Sequence, residues 1–207
     1  MITTAELREL EEQALEQGRT IDELMENAGR QVYLATQKRC ELDRKHILIF
    51  CGPGNNGGDG FAAARYFTKV CSVVVLLFGD KQKFSGPTPK NYDAIKKKVN
   101  VLQINHREEL DHFQVQPNHG LVLIDALLGI GAKGKLRDPL SFAIDYFNSL
   151  PGFKVAVDVP SGLNADTGEI GEKICEADLV VTFHDLKPGL EQFQEKTVVA
   201  DIGLPRI

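Results

Sequence analysis

Two aspartates that each close an apolar run, and one polar glycine-rich segment, are the residues here best suited to chemistry. Asp125 follows Leu121-Val122-Leu123-Ile124, and Asp158 follows Val155-Ala156-Val157. A carboxylate at the end of a buried strand is partly desolvated and needs a partner: a helix N-terminus, a hydroxyl or a cation. Either Asp alone reads equally well as the cap of a following turn. Two of them, with Asn55, Asn56 and Asp59 in a third segment, point to a site. That segment, Cys51-Gly52-Pro53-Gly54-Asn55-Asn56-Gly57-Gly58-Asp59-Gly60, lies between an apolar run at 47–50 and a helical run from Phe61. It is expected as a loop of permissive backbone, Gly58 included, that lets a ligand approach the main chain and aims N–H groups and a helix dipole at a phosphate. Gly52, Gly54 and Gly57 satisfy GxGxxG, and Asp80 follows the next strand, but such a match is weak alone. Two carboxamides and a carboxylate are more than a pyrophosphate cradle needs. Asn56, Asp125 and Ser161 offer oxygen only, with one firm carboxylate among neutral groups, which suits a weakly held monovalent cation.

The elements that position these residues follow from the apolar runs at 47–50, 72–78, 101–104, 121–124 and 154–157. They alternate with helical stretches, expected at about 61–65 onward, 90–98, 107–113 and 139–148, so a parallel sheet covered on both faces is predicted. Two further strands, at 178–183 and 197–200, are expected with no helix between these last elements. Thr3-x-x-Glu6 and Thr20-x-x-Glu23 are capping boxes that open helices running to about Gln17 and Lys38. These helices cover either the sheet or a second subunit. Right-handed crossovers put the first strand beside the fourth and the fourth beside the fifth. The crevice then opens at their carboxyl ends, where the glycine segment, Asp125 and Asp158 converge. The fold class is α/β, a three-layer αβα sandwich with a mostly parallel sheet preceded by N-terminal helices, as a single domain over 1–207.

The chain of 207 residues carries a net charge of -5, which argues against nucleic-acid binding through bulk electrostatics. The longest apolar stretch, 70–78, is too short for a bilayer. The first residues carry no basic start and no apolar signal region, so an intracellular, cytoplasmic location is expected. Cys40, Cys51, Cys71 and Cys175 show no CxxC spacing and are read as buried reduced thiols. His106, His112 and His119 are read as surface histidines. Lys187, in Lys187-Pro188-Gly189, is read as a surface loop lysine, with a phosphate contact as the alternative.

The segments CGPGNNGGDGFAAAR, IDALLGIGAKG, VAVDVPSGLNADTG, ADLVVTF, LKPGL and VVADIGLP resemble the NAD(P)H-hydrate epimerase family, also met as the N-terminal half of bifunctional nicotinamide-nucleotide repair enzymes and in apolipoprotein A-I-binding-protein-like domains. The resemblance covers nearly the whole chain and implies a Rossmann-like fold, an isomerase acting on the R and S forms of hydrated NADH and NADPH, and a homodimer. It implies that Asn55, Asn56, Gly57, Gly58 and Asp59 contact the hydrate, together with Gly129, Ile130, Gly131, Ala132, Lys133, Gly134, Lys135 and Asp158. It implies one K+ per subunit, held by Asn56, Asp125 and Ser161, and a functional pairing with an NAD(P)H-hydrate dehydratase. The stretch 192–196 is short and lacks the family's glycine-rich aromatic stretch, and residues 1–207 hold no kinase-like dehydratase half.

The implied reaction inverts the ring carbon that bears the added hydroxyl. Loss of hydroxide, or ring opening and closure, builds positive charge and needs a proton carrier. Asp125 is the first choice for acid/base work with Asp158 orienting the substrate; the alternative exchanges the two roles. A nicotinamide-dependent dehydrogenase would use Asp80 but leaves Asn55-Asn56 without purpose. A non-catalytic nucleotide- or RNA-binding dimerisation module of the same fold is the other rival.

Overall fold

Seven short apolar runs become seven strands because each is flanked by a turn signal and is rich in Val, Ile, Leu and Phe. In the computed structural model, which describes residues 1–111, 113, 120–131 and 135–205, these are β1 (His46–Cys51), β2 (Ser72–Phe78), β3 (Asn100–Ile104), β4 (Leu121–Ala126), β5 (Phe153–Val157), β6 (Leu179–Phe183) and β7 (Thr197–Ala200). Their order is β3-β2-β1-β4-β5-β6-β7, and every pairing is parallel. The chain steps outward from β1 to β3, then returns to lay β4 on the other side of β1. The connections leaving β1 and β4 therefore diverge and leave a crevice at the carboxyl ends.

Among the described residues, five α-helices cover the sheet: α1 (Thr4–Glu16), α2 (Ile21–Arg39), α3 (Asn55–Phe67), α4 (Thr88–Ile95) and α5 (Leu140–Ser149). Both N-terminal helices open with the complete capping box expected of Thr3/Glu6 and Thr20/Glu23. Leu7, Leu10, Leu24, Ala28 and Val32 from these helices join Phe61 and Phe67 of α3 against Ile49, Val75, Ile124 and Val181, so they cover one face of the sheet. The opposite face packs Phe50, Phe78 and Leu123 against Phe142, Ile144 and Phe147 of α5.

Three boundaries differ from expectation. The helix after β1 begins at Asn55 and not at Phe61, so Asn55 to Gly60 are its first turns and not a loop. Their glycines adopt helical backbone; the positive-φ glycines lie elsewhere. A 3₁₀ run, Pro188–Lys196, joins β6 to β7 where no helix was expected, whereas the β5–β6 connection is irregular as foreseen. The polar helix expected at 107–113 is a short 3₁₀ turn, Arg107–Leu110. No helix among the described residues is long and apolar enough to cross a membrane.

Candidate active site

The turn from β1 into α3 is built by close backbone packing. A Cβ on Gly57 would stand 1.9 Å from the Gly52 carbonyl oxygen, and one on Gly52 would stand 2.0 Å from that of Leu127. These positions exclude any larger residue because the loops after β1 and β4 touch there. Gly54, by contrast, has open space where a Cβ would go. It is also the N-cap of α3 and makes no side-chain cap bond, so the first amides of α3 are free to meet an anion. Gly58 faces inward: a Cβ there would meet the Met25 thioether at 2.5–2.6 Å and Thr88 Oγ1 at 2.7 Å. Its smallness serves the packing of α3 on α2 and α4 and not ligand approach. Gly58→Ala is expected to lower stability by about 1–3 kcal/mol through overpacking, measured by chemical denaturation, with nucleotide affinity of the folded fraction little changed.

A cavity of about 730 Å³ opens at the carboxyl ends of the strands, within the size range of small-molecule sites. Pro53, Gly54, Asn55, Asn56 and Asp59 line it from the β1–α3 side, and Leu127 to Gly131 from the loop after β4. Asp158 lines its floor. Helix α1 closes it with Leu7, Arg8, Glu11 and Leu15, and Lys83 and Ser85 form the far rim. Asp166 holds α1 in that position, accepting from the Thr4 N–H at 2.7 Å and from Thr4 Oγ1 at 2.6 Å. The α1 contribution was not legible beforehand: its residues lie far from every glycine motif in sequence. Gly57 and Gly58 sit behind the lining, and Lys135 pairs with Glu172 at 3.3 Å. Ala132, Lys133 and Gly134 lie outside the described residues, as do His112 and His119.

Asp125 and Ser161 are fully buried just beneath that lining. Asp125 alternates with Ile124 in β4 and so shares the α5 side of the sheet with Leu123. Its Oδ1 accepts from Ser161 Oγ at 2.6 Å and the Leu127 N–H at 3.2 Å, and its Oδ2 accepts from the Ser161 N–H at 2.8 Å. Burial raises its pKa, and these hydrogen bonds oppose the rise. Ser161 Oγ in turn accepts from the Leu128 N–H at 2.9 Å, and the Asn56 carboxamide donates to the Leu128 carbonyl at 2.9 Å. Asn56, Asp125 and Ser161 are therefore gathered around the Leu128 peptide. They present a carboxylate, a hydroxyl, a carboxamide and a carbonyl, a donor set that fits a hard, singly charged cation.

Asp158 takes a left-handed conformation, φ 64°, in which Asp is tolerated but uncommon. Its N–H bonds the Val181 carbonyl at 2.8 Å. Its Oδ1 accepts from Lys187 Nζ at 2.7 Å, Thr182 Oγ1 at 3.2 Å and the Phe183 N–H at 3.3 Å. Lys187 is 0 % exposed, and its other bonds go to Thr182 Oγ1 at 2.9 Å and the Phe183 carbonyl at 2.7 Å. The surface-lysine expectation is thus corrected. Lys187 is folded back beneath the end of β6 because Asp158, 29 residues earlier, needs a buried counter-charge. Asp59 makes no hydrogen bond or ion pair among the described residues; burial, then Asp158 and Glu11, push its pKa well up.

Asp80 caps the 3₁₀ turn at Lys81–Lys83, accepting from the Gln82 N–H at 2.9 Å, so it is committed to local structure. The thiols divide: Cys51 and Cys175 are buried, while Cys40 and Cys71 are half-buried. Burial, with the Asp125 charge, pushes Cys51 well above the ordinary thiol range. His106 is exposed, as expected.

Residues 21–189 match the family model described as YjeF-related protein N-terminus. The chain belongs to that family. Among its relatives, the NAD(P)H-hydrate epimerase of Nitrosopumilus maritimus is 34% identical over 210 residues, covering 99% of this chain and 95% of that one. The bifunctional NAD(P)H-hydrate repair enzyme Nnr of Hyperthermus butylicus is 41% identical over 188 residues, covering 88% of this chain and 34% of the enzyme. The chain thus spans about a third of the length of the bifunctional relatives of this kind. The crystal structure of yeast YNL200c superposes with a TM-score of 0.82 at 24% identity, covering 96% of this chain and 86% of that one. That likeness establishes the α/β fold of this YjeF-related domain, with its N-terminal helices.

Proposed function

We propose that the chain is an isomerase that interconverts the R and S forms of hydrated NADH and NADPH. The observation that carries this reading is one cavity lined by both an open helix N-terminus and carboxyl groups. The open N-terminus of α3 suits the anionic part of a dinucleotide, and the carboxyl groups of Asp59 and Asp158 face the same space. A positive centre developing at the hydrated ring would be stabilised beside these carboxyl groups. Relatives named for this epimerisation support the substrate class. Homodimerisation, cytoplasmic location and pairing with a dehydratase belong to the same reading.

The structure bears on the division of labour between the two buried aspartates. Asp125 lies beneath the lining, with both oxygens already engaged. Asp158 lines the cavity. We therefore assign Asp158 to the reaction and Asp125, with Asn56 and Ser161, to one potassium ion per subunit. When bound, that ion supplies fixed positive charge beside the loop after β4. Asn56→Ala is expected to weaken ion binding, with activity recovering at high potassium by mass action. A potassium series at constant ionic strength, balanced with choline, measures this, and a potassium-independent deficit would remove Asn56 from the ion site.

The function is tested by giving the R-hydrate of NADH to an S-specific dehydratase with and without the protein. Faster consumption of the R form in its presence is expected. Consumption at the uncatalysed rate, alongside retained binding of nucleotide or RNA, would favour the non-catalytic module.

A further inference from the structure

Of the carboxyls at the site, Asp125 has both oxygens engaged and Asp158 one, whereas Asp59 and Glu11 accept no hydrogen bond from the described residues. Asp125 accepts three hydrogen bonds from Ser161 and Leu127, and Asp158 accepts from Lys187, Thr182 and Phe183. Asp59 has none among the described residues, although it lies on the first turns of α3 and lines the same cavity as Asp158. A half-buried carboxyl without a partner on an acidic cavity wall favours holding a proton. Lys187, the buried cation of the site, is committed to Asp158: its Nζ donates to Asp158 Oδ1, to Thr182 Oγ1 and to the Phe183 carbonyl.

Resting on the epimerase reading above, we propose that Asp59 is a second catalytic residue, the proton donor, and that Lys187 is a positioning residue that reserves the proton for Asp59 by holding Asp158 as the oriented carboxylate. In the direction that begins from this state, the Asp59 carboxyl proton passes to the ring hydroxyl as its C–O bond breaks. The oxygen leaves as water with the bonding pair, and the ring nitrogen lone pair forms the C=N bond of an iminium. Water adds to the other face and gives its proton to Asp158. One water is lost and one gained, one proton moves from Asp59 to Asp158, and nothing is oxidised. The state left behind runs the reverse conversion, as a two-base epimerase requires.

Asp158 after β5 and Glu11 of α1 act on Asp59, which in turn acts on the Cys51 thiol of β1, and Arg8 and Glu12 of α1 and Lys83 line the same cavity. Glu11 is itself pushed up, first by burial and then by Asp158, with Lys187 and Arg8 opposing. The raised pKa of Asp59 has a stability consequence of definite sign. Above the ordinary value of 3.8 the unfolded chain loses this proton before the folded one does, so folding is disfavoured as pH rises.

The test uses the full chain and purified single epimers. Asp59→Asn should lower kcat about 10²–10⁴-fold with a small change in KM, and abolish the alkaline limb of the rate profile. The same variant should melt above the wild type at neutral pH, with the difference closing below 3.8. Lys187→Met should lower kcat with a smaller change in KM, and Lys187→Arg should restore part of it. Should Lys187→Met fail to fold, the double variant Lys187→Met/Asp158→Asn replaces it, and its kcat should not exceed that of Asp158→Asn alone. An active wild type whose kcat and alkaline limb survive in Asp59→Asn would overturn the proposal while leaving the epimerase reading intact. A wild type without epimerase activity would overturn both. Equal kcat in Lys187→Met and wild type would overturn the positioning role.

Discussion

Asp158→Asn is expected to lower the epimerisation rate by about 10²–10⁴-fold while nucleotide affinity falls far less. The amide keeps the shape and can still accept from Thr182 and Phe183, but it carries no charge and cannot take a proton. The nucleotide contacts come mainly from other residues, the α3 N-terminus and the loop after β4, so binding is largely separable from chemistry. Single-turnover rates and equilibrium titration, measured on the same preparation, separate the two. A near-normal rate in this variant would return the acid/base role to Asp125. Because the amide also leaves the buried Lys187 facing a neutral group, the variant should be less stable, and its melting curve has to accompany the kinetics.

Lys187→Met carries the largest expected effect on stability. Lys187 and Asp158 form an ion pair at 2.7 Å with side chains 0% and 10% exposed. Removing one member of such a pair strands the other charge, which typically costs about 3–5 kcal/mol. Lys187→Met should therefore lose a large part of the stability of an ordinary domain, about 5–15 kcal/mol in total. Lys187→Met/Asp158→Asn should recover much of the loss, since no charge is then left unpaired. Chemical denaturation of the single and double variants gives the coupling directly. Additive losses would mean that the pair contributes nothing beyond its separate packing.

Much of this fold is readable from the chain because its strands are apolar runs with turn signals at both ends. The placement of β1 beside β4 and of β4 beside β5 follows from handedness alone, and it brings Asp158 and the Asn55–Asp59 segment to one crevice. The start of α3 was misplaced for a physical reason. Asn and Gly are poor helix formers, yet here the helix is fixed by packing: a Cβ on Gly57 would strike the Gly52 carbonyl, and one on Gly58 would crowd Met25 and Thr88. Tertiary contact overrides propensity, and nothing local signals it. The face of Asp125 was likewise hidden, because a strand buried on both sides gives no alternation to show which way a residue points.

Lys187 was misread for the opposite reason. A lysine before Pro-Gly looks solvated, and its counter-charge lies far away in sequence on a separate loop. Arg8, Glu11 and Leu15 close the cavity from a helix whose readable pattern is its Thr3-x-x-Glu6 capping box. Residues that act across the crevice leave no spacing rule to find.

The most direct measurement starts from purified single epimers. The S-hydrate and the R-hydrate of NADH are incubated separately, with and without the protein, and each is followed by chromatography. Both solutions should converge on the same mixture much faster with protein than without, with no loss of total hydrate. Time courses that coincide with and without protein, from either starting epimer and at saturating potassium, would contradict the assignment.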